Sequence, residues 1–390
     1  MFENLKVLEL ASVLAGPGVG QFFAELGATV LKVENPKTSG DVTRSWKAAG
    51  ETTDDRSAYF CAVNWGKQSI VINLDSADGQ RIVHKLVEQC DIVIASYKPN
   101  DAEKIGVDYQ TMRKHNPSLI YGSITGYGPN EPRVGYDAVI QAEAGFMFLN
   151  GEPARASLKM PVALIDILAG HQLKEGILLA LLRREKTGEG SLIEVSLFQS
   201  AIASLANQAT NWLVGGKIPQ KQGSTHPNIA PYGDVFKTAE GHEILLAVGN
   251  DRQFRDLCKL LDIQEIAADE KFKTNASRVN NRVVLHHVLQ DKFAQQSSGP
   301  VLSQLNECKI PAGRIQNIQE VFETPQAKEL VLNDGSISGV RTYIGAIDQK
   351  SGSHFPPPPH YGEHTVEVLQ KWLKLDDQSI QKLVSNGIIA

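Results

Sequence analysis

The chain has 390 residues, 39 Lys+Arg against 44 Asp+Glu, a formal net charge of −5 and no block of like charge. That length suits about two domains, and that balance argues against a nucleic-acid or anionic-membrane partner. MFENLKVLEL has no basic region leading into a long apolar run, and no window approaches roughly 18 uninterrupted apolar residues, so a soluble cytoplasmic protein is expected. Cys61, Cys90, Cys258 and Cys308 lie far apart without CxxC spacing and read as ordinary buried thiols, with no metal site and no disulfide framework.

Short β-rich runs bounded by turn residues open the chain: Lys6 to Leu10, Thr29 to Val33, Ser69 to Asn73, Asp91 to Ser96 and Leu119 to Ile124. Helical stretches lie between them, the clearest from Ala77 to Gln89 with Ile82, Val83, Leu86 and Val87 on one stripe and Ser76 as N-cap. Such alternation implies an α/β fold, a parallel sheet wrapped by helices. A long apolar helix follows from Ile167 to Arg184, and another from about Leu197 to Val214. After VGGK the pieces shorten: a strand at Glu243 to Val248, a helix at Gln253 to Leu261 and a polar helical stretch from about Asn275 to Phe293. The expected division is a large Rossmann-like domain over 1–215, a smaller α+β domain over 216–325, and a return of 326–390 to the large domain. Pro356 to Pro359 read as a stiff spacer before helices at Thr365 to Leu373 and Asp377 to Val384.

AGPGVGQFF after the first strand, with Glu34 closing the second, has the outline of a dinucleotide fingerprint. The third glycine position holds Gln21 or Phe23, according to the register chosen, so the close helix–strand packing that the fingerprint needs is missing. A glycine-rich strand-to-helix loop can still offer N–H groups to a phosphate or carbonyl.

KMPVALIDILAG, Lys159 to Gly170, carries one ionisable group after its lysine, Asp166. One reading makes it the N-cap of the helix from Ile167 onward. The other makes it a poorly solvated carboxylate in an apolar pocket at a helix N-terminus, a nucleophile facing dipoles that stabilise an oxyanion. The two roles can coexist.

Pro161-x4-Asp166-x3-Gly170, continued by GILLALLRREKTGEGSLIEVSLFQSA (176–201), resembles the catalytic-aspartate region of the family III CoA-transferases, the formyl-CoA and carnitine-CoA type. VLELASVLAGPGVGQFFAELGATVLKVENP, GDVTR (40–44), NLDSADG (73–79), NPSLIYGSITGYG (116–128), GYDAVIQAEAG (135–145), HPNIAPYGDVFKTAEG (226–241), VGNDRQF (248–254), IPAGRIQNI (310–318) and GEHT (362–365) extend the likeness in order across the chain. The resemblance implies transfer of CoA from an acyl-CoA to a free carboxylate acceptor. Asp166 would pass through a mixed anhydride and an aspartyl-CoA thioester, with a coenzyme A thioester as substrate and no permanently bound cofactor. It also implies an interlocked homodimer.

Position by position, it assigns CoA contacts to Val13 and Leu14 near the thioester and to Asn73, Leu74 and Asp75 on the adenine side. Ser96, Tyr97 and Lys98 follow the fourth strand, Lys104 lies near the phosphates, and Arg133, Val134, Gly135 and Tyr136 meet pantetheine and phosphates, with Tyr136 near the aspartate. Asn35 stands where the family often has a basic residue, and Lys37 is the nearby substitute. A solvated surface charge is the alternative for Lys37, Lys98, Lys104 and Arg133. His226 is a candidate substrate contact or a turn histidine.

The related α-methylacyl-CoA racemases use a histidine where Tyr136 stands, because exchange on both faces of an α-carbon needs two acid/base groups. A CoA-ester-binding protein without chemistry is the third reading. QGSTHP (222–227) replaces the glycine run of oxalate/formate enzymes, and Gly223 to Pro325 looks most like the succinyl-CoA-dependent dicarboxylate branch.

Overall fold

A computed structural model describes residues 1–345 and 355–390. They cluster into two compact units. The first comprises Met1–Ala144, Met160–Ala206 and Lys328–Ala390, and the second Gly145–Lys159 and Asn207–Ala327. Compared with boundaries at 215 and 325, the segment 145–159 and all but the first residue of the helix Ala206–Leu213 group with the smaller unit.

Six parallel strands build the first unit: β1 Lys6–Leu10, β2 Thr29–Glu34, β3 Lys67–Val71, β4 Ile92–Ala95, β5 Ile120–Thr125 and β6 Ser191–Ser196. Their spatial order is β3-β2-β1-β4-β5-β6. The order reverses between β1 and β4, and a doubly wound sheet offers its crevice outside the carboxyl ends of the strands at that point. β4 is buried at every position and β1 at all but its first, as a sheet covered on both faces demands. Ser76 caps the helix Ala77–Val87 by accepting from Gly79 N, and its stripe of Ile82, Val83, Leu86 and Val87 enters the core with Leu8, Leu31 and Ile70.

The C-terminal segment completes this core. The helix Thr365–Leu373 contributes Val368 and Leu369, Ile380, Ile388 and Ile389 join them, and Ile72 bridges Ile389 in antiparallel fashion. Two of the long helices expected from the sequence are each broken. The stretch after β6 divides into Leu197–Ala203 and Ala206–Leu213, with Ala206 at φ +47°, and the polar stretch divides at Asn281 into Asn275–Asn280 and Arg282–Phe293. Cys61, Cys90 and Cys258 are buried, whereas Cys308, at the end of a surface helix, is exposed.

The second unit holds an antiparallel sheet, β7 Tyr232–Lys237, β8 Glu243–Ala247 and β9 Ala312–Arg314, in the order β7-β8-β9. Helices at Asp251–Leu260, Arg282–Phe293 and Ser298–Glu307 close its core of Phe236, Ile244, Leu246, Phe254, Leu257, Leu285, Leu289 and Phe293. Among the described residues no helix is long and apolar enough to cross a membrane.

Candidate functional site

Asp166 does not cap its helix. The helix begins at Leu164, Ala163 takes the cap position without a side-chain bond, and Asp166 is the third helical residue. The cap comes from another segment. Asp137 Oδ1 accepts from Ile165 N at 2.8 Å while its Oδ2 accepts from Gln141 Nε2 at 2.6 Å. Gln141 Oε1 in turn accepts from Met160 N at 2.8 Å, fixing the approach to the helix. An early N–H of the helix is thus satisfied from outside, and the Asp166 carboxylate accepts no hydrogen bond among the described residues.

Asp166 is only 7% exposed. Burial, with the Asp137 charge adding to it, pushes its carboxyl up to about 7. The first-turn position on a helix dipole favours the anion, but burial outweighs it. The result is a poorly solvated carboxylate that ionises near neutrality, a combination suited to nucleophilic attack.

The long helix Leu164–Thr187 links β5 to β6, and the first helix, Ala15–Glu25, links β1 to β2. Both connect parallel strands, so both present their N-termini at the carboxyl ends of the sheet. They pack closely at Gly170, where an added Cβ would lie 3.2 Å from Ala15 O. Asp166 is one helical turn earlier, about 5.4 Å along the axis, and therefore level with the loop before the first helix.

That loop is strained. Val13 sits at φ +74°, a costly conformation for a β-branched residue at about 1–2 kcal/mol or more. Its N–H lies 3.3 Å from each oxygen of Asp41. Asp41 also accepts from Thr43 N and Thr43 Oγ1, at 3.0 and 2.8 Å, and pairs with Lys32 Nζ at 2.8 Å. Lys32 reaches Glu9 at 3.0 Å and Ala11 O at 2.9 Å, and Glu9 meets Lys67 at 2.8 Å. All four ionic side chains are buried. Burial tends to raise the Asp41 carboxyl, but Lys32 and the Thr43 donors overcome it and hold it below the usual range. Burial brings Lys67 down to about 8 against the pull of Glu9.

The residues expected to meet CoA lie in the segments that follow β1 to β5 in the first unit. Leu14 is the cap residue of the first helix. Ser96 Oγ accepts from Ser12 N at 3.2 Å, tying the ends of β4 and β1 together at the switch point. Tyr97 is packed against the core, and burial raises its phenol to about 12. A cavity of about 190 Å³ beside Tyr97 and Lys98 is also lined by Tyr121, Thr125 and Pro129. Asn73 takes Ile388 O on its N–H and accepts from Asp75 N, with Leu74 between them.

The cations have acidic partners at the surface. Lys37 pairs with Asp75 at 2.6 Å, Lys104 with Asp101 at 2.7 Å and Lys98 with the same acid at 3.8 Å. Arg133 lies over the Tyr127 ring at 3.9 Å and meets Glu143 at 3.1 Å. Gly135 crosses Gly126 so closely that a Cβ would come within 2.5 Å of the Gly126 Cα, which delivers Val134, Gly135 and Tyr136 to the end of β5. Val134 and Tyr136 are exposed, and Tyr136 immediately precedes the capping Asp137.

His226 belongs to the second unit. Its Nδ1 accepts from Asn228 N at 3.1 Å, its carbonyl accepts from Arg282 at 2.9 Å and its ring meets Tyr232 edge-on, which builds it into a turn.

Sequence reasoning passed over three residues. Tyr59, a half-buried phenol packed on Trp46, has its ionisation pushed up by burial and then by Asp166, Asp137 and Asp41, so it lies among all three acids. Nothing in DDRSAYF marks it. Asp137 was visible in GYD and Asp41 in GDVTR, but their work depends on which N–H they meet in the fold.

A family model described as CoA-transferase family III matches residues 2–365. The Succinate--glutarate CoA-transferase of Agrobacterium fabrum is 41% identical over 383 residues, spanning 94% of each chain. The Succinyl-CoA:glutarate CoA-transferase of Homo sapiens is 35% identical over 400 residues, 99% of this chain and 89% of that one. A solved CAIB/BAIF family protein from Brucella suis superposes with a TM-score of 0.84 at 39% identity, covering 95% of this chain and 99% of that one.

Proposed function

The chain belongs to CoA-transferase family III, and we propose that it moves CoA from succinyl-CoA to a short dicarboxylic acid through covalent intermediates on Asp166. The observation that carries this reading is the buried carboxylate of Asp166, which accepts no hydrogen bond among the described residues, in the first turn of a helix. The relatives' names, succinate–glutarate and succinyl-CoA:glutarate CoA-transferase, support the donor and the dicarboxylate class.

In the proposed mechanism the Asp166 carboxylate attacks the thioester carbonyl of succinyl-CoA. The C–S bond breaks, CoA leaves as thiolate, and a succinyl–aspartyl anhydride forms. The thiolate then attacks the aspartyl carbonyl of the anhydride, releasing succinate and leaving an aspartyl-CoA thioester. The acceptor's carboxylate repeats the two steps in reverse. Every bond broken is replaced by an acyl bond of comparable energy, so a carboxylate in a dry site is the chemical requirement.

CoA itself is proposed to lie along the carboxyl edge of the sheet. Val13 and Leu14 would face the thioester, with Asn73, Leu74, Asp75, Ser96 and Tyr97 along the nucleotide. Lys37, Lys98, Lys104 and Arg133 would exchange their surface acids for phosphates. Val134, Gly135 and Tyr136 would border the pantetheine, and His226 would serve the acceptor. The same proposal includes a cytoplasmic, interlocked homodimer. Exposed Leu179 and Leu182 on the long helix, with Ile202 nearby in sequence, give such a partner an apolar surface to cover.

The testing experiment is mass spectrometry after incubation with succinyl-CoA and trapping by hydroxylamine or borohydride. Modification at Asp166 in wild type and its absence in Asp166→Ala are expected. No modification with succinyl-, acetyl- or branched acyl-CoA, together with uptake of solvent deuterium at an α-carbon, would replace the proposal with the racemase reading.

A further inference from the structure

We propose that Asp41 is a positioning residue for acyl transfer, holding the Val13 peptide left-handed so that the N–H groups of Leu14, Ala15 and Gly16 face the crevice beside Asp166. The proposal rests on the reading of Asp166 as nucleophile.

Those three N–H groups open the first helix, and among the described residues none of them has an acceptor. The next residue, Pro17, has no N–H, and Gly18 N already bonds Leu14 O at 2.7 Å. Three donors at a helix N-terminus suit a developing oxyanion. A second observation lies opposite them: the nine-tenths-buried Asp166, without a hydrogen-bond partner among the described residues and level with the same loop. The direction of the donors depends on the peptide before them, and that peptide is strained at Val13. Strain of this kind persists only where the surroundings impose it.

Asp41 supplies the restraint and is itself held from both sides. Its N–H donates to Glu34 Oε2 at 2.9 Å, an approach that requires Gly40, at φ +92°, because a Cβ there would stand 2.3 Å from the same oxygen. Glu34 is fixed by Arg44 at 2.6 Å and by Ser69 Oγ at 2.5 Å. Lys32, shared with Glu9 and Ala11 O, anchors the Asp41 carboxylate to β1 and β2. Apolar residues usually serve a core at least as well as buried ions. Here the ions converge on one strained loop at the switch point, which is the placement expected of a device that sets geometry for chemistry.

The test is the rate of single-turnover labelling of Asp166 by saturating succinyl-CoA, read by rapid quench and mass spectrometry. Melting curves and half-saturation are measured alongside. Asp41→Asn and Asp41→Glu are both made. The glutamate variant keeps a charge opposite Lys32 while displacing the acceptor from Val13 N, so it tests the same restraint with the buried ions still paired. The expected result is a rate about 10²-fold lower with half-saturation changed by less than about threefold. Adding Val13→Gly to either variant should recover about tenfold, since glycine visits positive φ without restraint. A purely structural role would lower the melting temperature and the labelled fraction together, and Val13→Gly would not restore the rate. That pattern, or a rate within about threefold of wild type in the folded Asp41→Glu protein, overturns the proposal. Failure of wild type to be labelled at all would remove the nucleophile reading and this proposal with it.

Discussion

Asp137 caps the helix that carries Asp166: its Oδ1 takes the Ile165 N–H at 2.8 Å across 28 positions of sequence. The same side chain raises the neighbouring carboxyl by its charge. One residue thus fixes where Asp166 stands and adds to what sets its ionisation. Asp137→Ala should cost about 0.5–2 kcal/mol, the usual cost of losing a cap, and should move the pH midpoint of Asp166 labelling downward. Urea denaturation and a pH series of adduct formation read the two effects separately. An unchanged midpoint would mean that burial alone sets the ionisation.

Labelling of Asp166 in wild type should fall as pH drops through about 7, because only the carboxylate attacks. Stability should run the other way. The folded carboxyl titrates near 7 and the unfolded one near 3.8, so between those values the folded state binds the extra proton. This group's contribution is therefore fully present below about 3.8 and is lost as pH rises through 7. Asp166→Asn should accordingly be more stable than wild type at pH 8, by on the order of 2–4 kcal/mol, with the advantage shrinking towards pH 4. Denaturant midpoints of both proteins across that range check it.

Lys32 sits between Glu9 and Asp41 with 1% of its side chain exposed. Lys32→Met leaves the buried Asp41 carboxylate without a cation and Glu9 with Lys67 alone, which should cost about 3–5 kcal/mol. Thermal and urea unfolding would measure the loss, and a change below about 1 kcal/mol would show that water reaches the pair.

Gly170→Val should wedge the long helix away from Ala15, where even a Cβ is tight at 3.2 Å. Overpacking of this kind costs about 1–3 kcal/mol. Because the displaced turn is the one next to Asp166, labelling should slow in the same variant even under conditions where it is fully folded. A loss of stability with an unchanged labelling rate would separate the packing from the chemistry.

With its phosphates on exposed cations, as proposed, binding of CoA should weaken with ionic strength. Lys37→Ala and Lys104→Ala should hardly alter stability, as the ion pairs they give up are solvated. Each should raise the dissociation constant for CoA measured by calorimetry. Unaltered binding would place the phosphates elsewhere on the edge.

The sheet was legible because strands buried on both faces are short apolar runs between turn residues, and the stripe of Ile82, Val83, Leu86 and Val87 has one helical period. Asp166 was legible as a single charge in an apolar stretch. The true cap of its helix, Asp137, was not, because the acceptor for Ile165 N comes from a segment whose position only the fold decides. Tyr59 and Asp41 were hidden for the same reason: each works through residues that lie far away in sequence, Asp166 and Asp137 for one, Lys32 and Val13 for the other. The break at Ala206 escaped because apolar periodicity continues through it while the backbone turns left-handed.

The pairing of Ile72 with Ile389 also sets a timetable for biogenesis. The strand that ends just before Ile72 leaves the ribosome well ahead of Val368, Leu369, Ile388 and Ile389, the distant residues that cover its neighbourhood. At about 5–20 residues per second, that apolar side waits on the order of half a minute for its own cover. During this interval the nascent sheet is a sticky, unfinished surface. A chain cut before Val368 would keep that side open, because no nearer segment supplies the cover that Val368, Leu369, Ile388 and Ile389 give.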